Sequence, residues 1–381
     1  MDPHGPIARR FPLVARFRPA CLPLPDRVQA LVDLADRAVQ QGEEVLASTV
    51  FNQSALLASD LGLPNLARSM CHRHANAYLR ACPLSGTSTI RGLEPLVNLA
   101  RLQIRDGNTD DGRRRLLELY EAVGTGDEVT FEGITVPAAL TRTQQDRHDV
   151  RAWLWRVLLA DGTRTLTTKG RWREALTHIE EHRGVGARIL DGRQVAVVAA
   201  LTVGDTKRAA NLLTTTSPGD PWEQAVTDCL TALCCRAAGQ DVNVRLAGLV
   251  NMYLGHDAKR GLTVFDIRLG LTVLDVLDSA DQPAASLLVE DLVRRTMQAR
   301  NGYAAREVVA HPLFLALATG SQTQDCRDLV RACALDAGAL PDELYRDLST
   351  ALGRSEAVLP CSLTGAPASG SSAQLSEKYD L

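Results

Sequence analysis

Four places along the chain share one local pattern, a glycine followed five positions later by a residue with almost no side chain. They are Gly62 and Ala67, Gly107 and Gly112, Gly170 and Ala175, and Gly204 and Ala209. Ala280 to Ala285 repeats the pattern with alanine at the turn, and after Gly239 the small position is held by Val244. Glycine takes the left-handed conformation that closes a helix. A tiny residue early in the following helix lets the two helices approach closely. Gly170 to Gly204 spans 34 residues and Gly204 to Gly239 spans 35. A two-helix unit of that length cannot bury its apolar face alone, so the period demands stacking. The expected fold class is therefore all-α, built from antiparallel helix pairs.

The rest of the chain fits that frame. Residues 1–22 read as an irregular arm rich in arginine and proline, because Pro3, Pro6, Pro12 and Pro19 prevent a continuous helix. Residues 23–354 read as helices separated by short Gly, Pro, Asp and Asn punctuation. Residues 124–142 break the helical rule. Val129 and Phe131, then Ile134 and Val136, alternate around Glu132-Gly133, which predicts a small hairpin inserted between helices. On a repeat scaffold an insertion maps to a loop on one face, often the binding face. Residues 355–381, rich in Ser, Gly, Ala and Pro, are expected to be disordered.

Aromatics are only 4% of the chain, so Leu, Ala and Val must fill the core. The net charge of -3 gives no electrostatic case for nucleic acid or an anionic membrane. No apolar run approaches the ~20 residues that span a bilayer. The nine cysteines show no zinc spacing and read as buried thiols of a reducing compartment, so a cytoplasmic location is expected.

A helix–turn–helix unit with a period near 34 resembles the tetratricopeptide repeat. Leu96, Leu99 and Ala100 fit the packing positions before Gly107, Phe51 and Ala55 fit those before Gly62, and Pro221 fits the closing proline after Ala209. The Trp–Leu–Gly–Tyr set of a strong repeat is missing, and the resemblance runs over roughly residues 45–300. It implies a right-handed superhelix, an α-solenoid in which the first helix of each pair lines a ligand groove. Carried over residue by residue, the groove positions fall on Asn52, then Glu94, Arg101 and Arg105, then Arg164, then Asp191 and Gln194. Arg101 and Arg164 share one register position, and two stacked guanidiniums would suit a carboxylate or phosphate. The lysine–asparagine pattern that clamps a peptide C-terminus is not reproduced. Arg- and Ala-rich helical-repeat chains also resemble accessory or regulatory proteins of actinobacteria, some tied to transcriptional control or peptide natural products.

The sharpest chemical motif is His178-Ile-Glu-Glu181-His182. Two histidines at i, i+4 share a helix face, and H-x-x-E-H is a zinc-site pattern. Its position, just past the packing residue Ala175, argues for helix contacts instead. His72 and His74 are two apart and point away from each other on a helix. No P-loop, dinucleotide fingerprint, nucleophile elbow or DNA-binding helix-turn-helix is present. The expectation is a non-enzymatic module that binds a peptide or protein without a cofactor, with a regulatory or scaffolding role. The alternative is an all-α enzyme of secondary metabolism, metal-dependent through His178, Glu181 and His182.

Overall fold

The computed structural model describes residues 1–257, 259–277 and 283–363, with side chains to Leu359. It is all-α apart from one hairpin. In chain order the helices are α1 (Pro6–Arg10), α2 (Leu24–Gln41), α3 (Glu44–Asp60), α4 (Pro64–Leu79), α5 (Gly86–Arg105), α6 (Thr109–Thr125) and α7 (Gln144–Val157). A π-turn at Leu158–Gly162 leads into α8 (Thr163–Thr167), α9 (Trp172–Glu181), α10 (Asp191–Thr202), α11 (Thr206–Thr214), α12 (Pro221–Ala237) and α13 (Asn243–Leu254). Then follow α14 (Thr263–Leu277), α15 (Pro283–Ala299), α16 (Gly302–Val309), α17 (Pro312–Leu317), α18 (Gly320–Ala332) and α19 (Asp342–Leu363).

The chain forms two compact units. The arm unit joins Met1–Pro23 to Leu166–Cys333, and the hairpin unit joins Leu24–Thr165 to the segment beginning at Ala334. In the hairpin unit α3 and α4 pair, then α5 and α6, and α2 and α19 lie against α3. In the arm unit the pairs are α10 with α11, α12 with α13, α14 with α15, and α16 with α18.

Local signals place the breaks. Gly62, Gly107, Gly170, Gly204 and Gly239 all adopt left-handed φ values, from +70° at Gly170 to +89° at Gly107. The small residues meet the neighbouring helix: Ala67, Ala175, Ala209 and Ala285 are fully buried. Gly112 shows why size matters. A Cβ there would sit 2.6 Å from Ile104 Cγ1 and 2.8 Å from the Ala100 carbonyl oxygen. The unit after Gly239 solves the problem differently. Val244 faces solvent at 87% exposure, and Leu246 and Leu249 carry the contact. The turn residues 280–282 lie outside the described residues.

The hairpin forms as the alternation predicts, with Val129–Phe131 (β1) antiparallel to Ile134–Val136 (β2) and Phe131 opposite Ile134. Glu132 and Gly133 both take positive φ, the geometry that two-residue hairpin turns require. Its place differs from the expected binding face. Phe131, Ile134 and Val136 are buried in the core of the unit. The strands pack on α4 and α6, the second helices of their pairs. Glu132 accepts hydrogen bonds from Gln103 at 3.0 Å and Arg115 at 2.9 Å. The strands therefore brace mainly the second-helix side, and their turn reaches the first helix α5 through the Gln103–Glu132 bond.

The arm and the last described helix are more ordered than composition suggested. The arm contains α1, and Ala8, Phe11, Leu13 and Cys21 are buried. At the other end α19 runs past Arg354 to Leu363. Leu348, Ala351, Leu352, Ser355 and Leu359 recur at helical spacing and are all buried. A Ser/Ala-rich composition hid that stripe; residues 364–381 lie outside the described residues. Backbone bonds from Asp336 N to Asp60 O and from Gly338 N to Leu61 O, both 2.7 Å, tie the approach to α19 onto the end of α3.

Gly112→Val tests the packing rule. It should destabilise the hairpin unit by about 2–3 kcal/mol, the upper end of ordinary overpacking because the obstacle includes a backbone carbonyl. Urea denaturation followed by circular dichroism measures it, and Gly107→Ala should cost less, since nothing crowds its position beyond the left-handed φ of +89°.

Candidate functional site

On the hairpin unit, five polar side chains link the first helices α3 and α5 to the π-turn. Asn52 Nδ2 donates to Glu94 Oε2 at 2.5 Å, and Asn98 Nδ2 donates to Asn52 Oδ1 at 3.2 Å. Arg101 Nη1 donates to Asn98 Oδ1 at 3.0 Å, and its Nε and Nη2 reach Asp161 Oδ2 at 3.1 and 2.8 Å. The result is a continuous ladder, Glu94–Asn52–Asn98–Arg101–Asp161. Burial raises the Glu94 pKa, with the Asn52 hydrogen bond and the charges of Arg91 and Arg101 pulling the other way. For Arg101, burial would lower the pKa, but the Asp161 ion pair outweighs it and holds the guanidinium charged. Each amide side chain offers two N–H donors and two lone pairs. The ladder uses only some of them, which leaves capacity for a peptide group laid across it.

Of the groove positions read from sequence, Asn52, Glu94 and Arg101 come together here, and Asn98 and Asp161 complete them. Asn98 was legible as one helical turn before Arg101. Asp161 was not, because the π-turn adds a residue to the helical register and swings it toward α5. Arg105 stands apart at the end of α5, bonded to Ser59 and 3.7 Å from Asp60. Arg164 is exposed on α8. The pair of stacked guanidiniums does not form: Arg101 turns to Asp161, the acid one turn before Arg164.

Asp191 and Gln194 belong to the arm unit, and they hold the chain's own arm. Gln194 is fully buried. Its Oε1 accepts from Leu13 N at 2.6 Å and its Nε2 donates to Leu13 O at 2.9 Å, with a further bond to Ile189 O at 2.8 Å. One amide side chain thus pairs with both main-chain groups of an extended residue, as a neighbouring strand would. Arg16 Nη2 pairs with Asp191 at 2.6 Å. Arg10 pairs with Asp275 on α14, which also accepts from His311 Nε2 at 2.9 Å. Farther along, Arg18 lies over the Tyr303 ring at 3.7 Å, and Gly302 N donates to Cys21 O at 2.7 Å. These contacts fall on α10, α14 and α16, first helices of their pairs, while Trp172 at the start of α9 donates to Pro3 O and Cys333 at the end of α18 donates to Cys21 O, both at 3.0 Å.

The metal candidates do not converge. His178 is buried, whereas Glu181 on the same helix is exposed. His182 Nδ1 is spent on the His178 carbonyl at 2.8 Å. Among the described residues no three His, Cys, Asp or Glu side chains gather as a metal site. His74 is a helix-contact residue: it stacks on Phe51 with ring centroids 5.2 Å apart and bonds Ser48 at 3.1 Å. Burial lowers its pKa to about 3, so it stays neutral. His311 imitates a catalytic dyad through Asp275, but its Nδ1 accepts the Phe314 N–H at 3.2 Å. No ring nitrogen is left to act as a base.

The chain matches no protein-family model and no curated protein. A solved structure described as "Circular tandem repeat protein with novel repeat topology and enhanced subunit contact surfaces" shares 16% identity with it and covers 87% of this chain and 88% of its own, at a TM-score of 0.15. A likeness at that score carries no functional weight, and the fold description rests on the helices themselves. No described helix is long and apolar enough to cross a membrane.

One buried acid has no ligand-facing role. Asp266 is 1% exposed, and neither carboxyl oxygen has a hydrogen-bond partner. Burial pushes its pKa up to about 7, against the opposing charges of Arg295 and Lys259. A carboxyl that is raised on folding stabilises the fold fully at acid pH, and that contribution is lost as pH rises through 7. Asp266→Asn should therefore raise the thermal midpoint at pH 8 and not at pH 4, a difference that scanning calorimetry at the two pH values resolves.

Proposed function

We propose that this chain is a non-enzymatic helical-repeat module that binds an extended polypeptide across the first helices of the hairpin unit, in a regulatory or scaffolding role. The observation that carries the reading is the arm of the other unit. There, first helices of the same stacking pattern hold an extended segment through a side-chain amide, with acids collecting its arginines. The hairpin unit offers the same chemistry in the Asn52–Asn98 amides, flanked by Glu94 and Asp161 as acids and by Arg101. Main-chain recognition would supply affinity, and the charged ends of the ladder would select side chains. An external ligand must displace part of the Arg101–Asp161 pairing or bind beside it. This favours partners with a carboxylate or an amide side chain at that point.

The ladder predicts a specific mutational pattern. Binding should be measured by fluorescence anisotropy against an array of extended peptides. For any peptide that binds, Asn98→Leu and Arg101→Glu should each weaken binding tenfold or more, about 1.4 kcal/mol. Arg114→Glu, on the second helix α6, should leave it unchanged. Equal effects from all three would mean general electrostatics, and no effect from the first two would remove the ladder from consideration.

A further inference from the structure

In the arm unit the chain's own arm lies against α10 and α14 as an extended segment. Three arm residues at a spacing of three, Arg10, Leu13 and Arg16, make the contacts that fix register: Asp275 takes the first, Gln194 the second and Asp191 the third. The acids are sheltered, with side-chain exposures of 10% for Asp275 and 13% for Asp191. Their field favours a cation at each end of the segment. Burial alone would raise the Asp275 pKa, but the His311 hydrogen bond and the Arg10 charge outweigh it and hold the carboxylate ionised. Between these anchors Phe11 is buried and Pro12, Val14 and Ala15 are partly exposed, and just beyond them Phe17 is exposed. That is how a bound peptide sits on a surface, with alternate anchors sunk and the rest in water. A core strand would be covered throughout.

We propose that this face is a recognition site for an extended, proline-containing basic segment of the pattern Arg-x-x-Leu-x-x-Arg, occupied in cis by the arm. The site is open in trans to a partner segment of the same pattern whenever the arm lifts. The inference rests on reading first helices as the ligand-bearing surface, but it concerns a different face from the Asn52–Asp161 ladder. Tethering gives the arm an effective concentration of the order of millimolar, so a partner competes only if it binds tightly or if the arm is weakened. The arm is thereby a built-in competitor that sets a threshold for binding.

The test uses the full-length chain and a fluorescein-labelled synthetic peptide of residues 8–23, titrated by anisotropy. The wild type should bind it weakly. Arg16→Glu, which reverses one arm anchor, should bind at least threefold more tightly, and Arg10→Glu with Arg16→Glu at least tenfold more tightly. Adding Gln194→Leu to the double variant should abolish the gain. Adding Asn98→Leu and Arg101→Glu instead should leave it intact; if these weaken binding, the peptide sits on the ladder and the present inference falls while the ladder reading stands. Binding by the arm variants no tighter than wild type would overturn the proposal. So would loss of their cooperative thermal transition, because the arm would then be core and not ligand.

Discussion

The whole architecture depends on how closely two helices can approach just after each turn. A left-handed glycine ends the first helix, and a residue of a methyl group or less enters the second where its neighbour's backbone lies. Gly112 beside the Ala100 carbonyl shows the constraint directly. Once that distance is set, the apolar stripes of successive pairs face each other and, within each unit, the first helices fall in a row. A row of first helices makes a continuous surface on which an extended chain can lie. The turn chemistry is thus upstream of the binding surface, even though none of its residues touches a ligand.

Each unit uses its own row differently. In the arm unit it is filled from the chain's own N-terminal side, with Gln194 satisfying both main-chain groups of Leu13. A buried peptide group without partners would be costly, so one glutamine accounts for a large part of why the segment stays in register. In the hairpin unit the row of first helices carries a self-paired polar ladder. Self-pairing keeps half-buried charges compensated in the absence of a ligand. The Arg101–Asp161 pair illustrates this: burial works against the guanidinium charge, and the nearby carboxylate more than restores it.

Much of the fold was legible in the sequence, because glycine and alanine at fixed spacing have few structural meanings. The hairpin was legible for a similar reason, since Glu132-Gly133 between alternating apolar residues admits few other readings. Its side of the scaffold was not, because strand alternation says which residues are buried and not which helices bury them. Asn52, Glu94 and Arg101 were placed on one surface from repeat register alone. Asp161 escaped, since a π-turn shifts register without any composition signal. Gln194 was marked as a groove residue, yet its partner Leu13 lies 181 positions away, and no local pattern links a proline-rich arm to a glutamine at that distance. The last stretch of α19, beyond Arg354, was missed because Ser355 and the Ser, Gly, Ala and Pro that follow dilute the apolar stripe that this helix continues to bury.

The central claim is that first helices of this stack hold an extended chain through its main-chain groups. Hydrogen–deuterium exchange with residue resolution, by NMR, tests it most directly. The Leu13 amide should exchange at least a hundredfold more slowly than those of Val14 and Ala15 in the wild type, and Gln194→Leu should erase that difference while leaving protection in α14 intact. Equal, rapid exchange across Leu13, Val14 and Ala15 in the wild type would contradict the account.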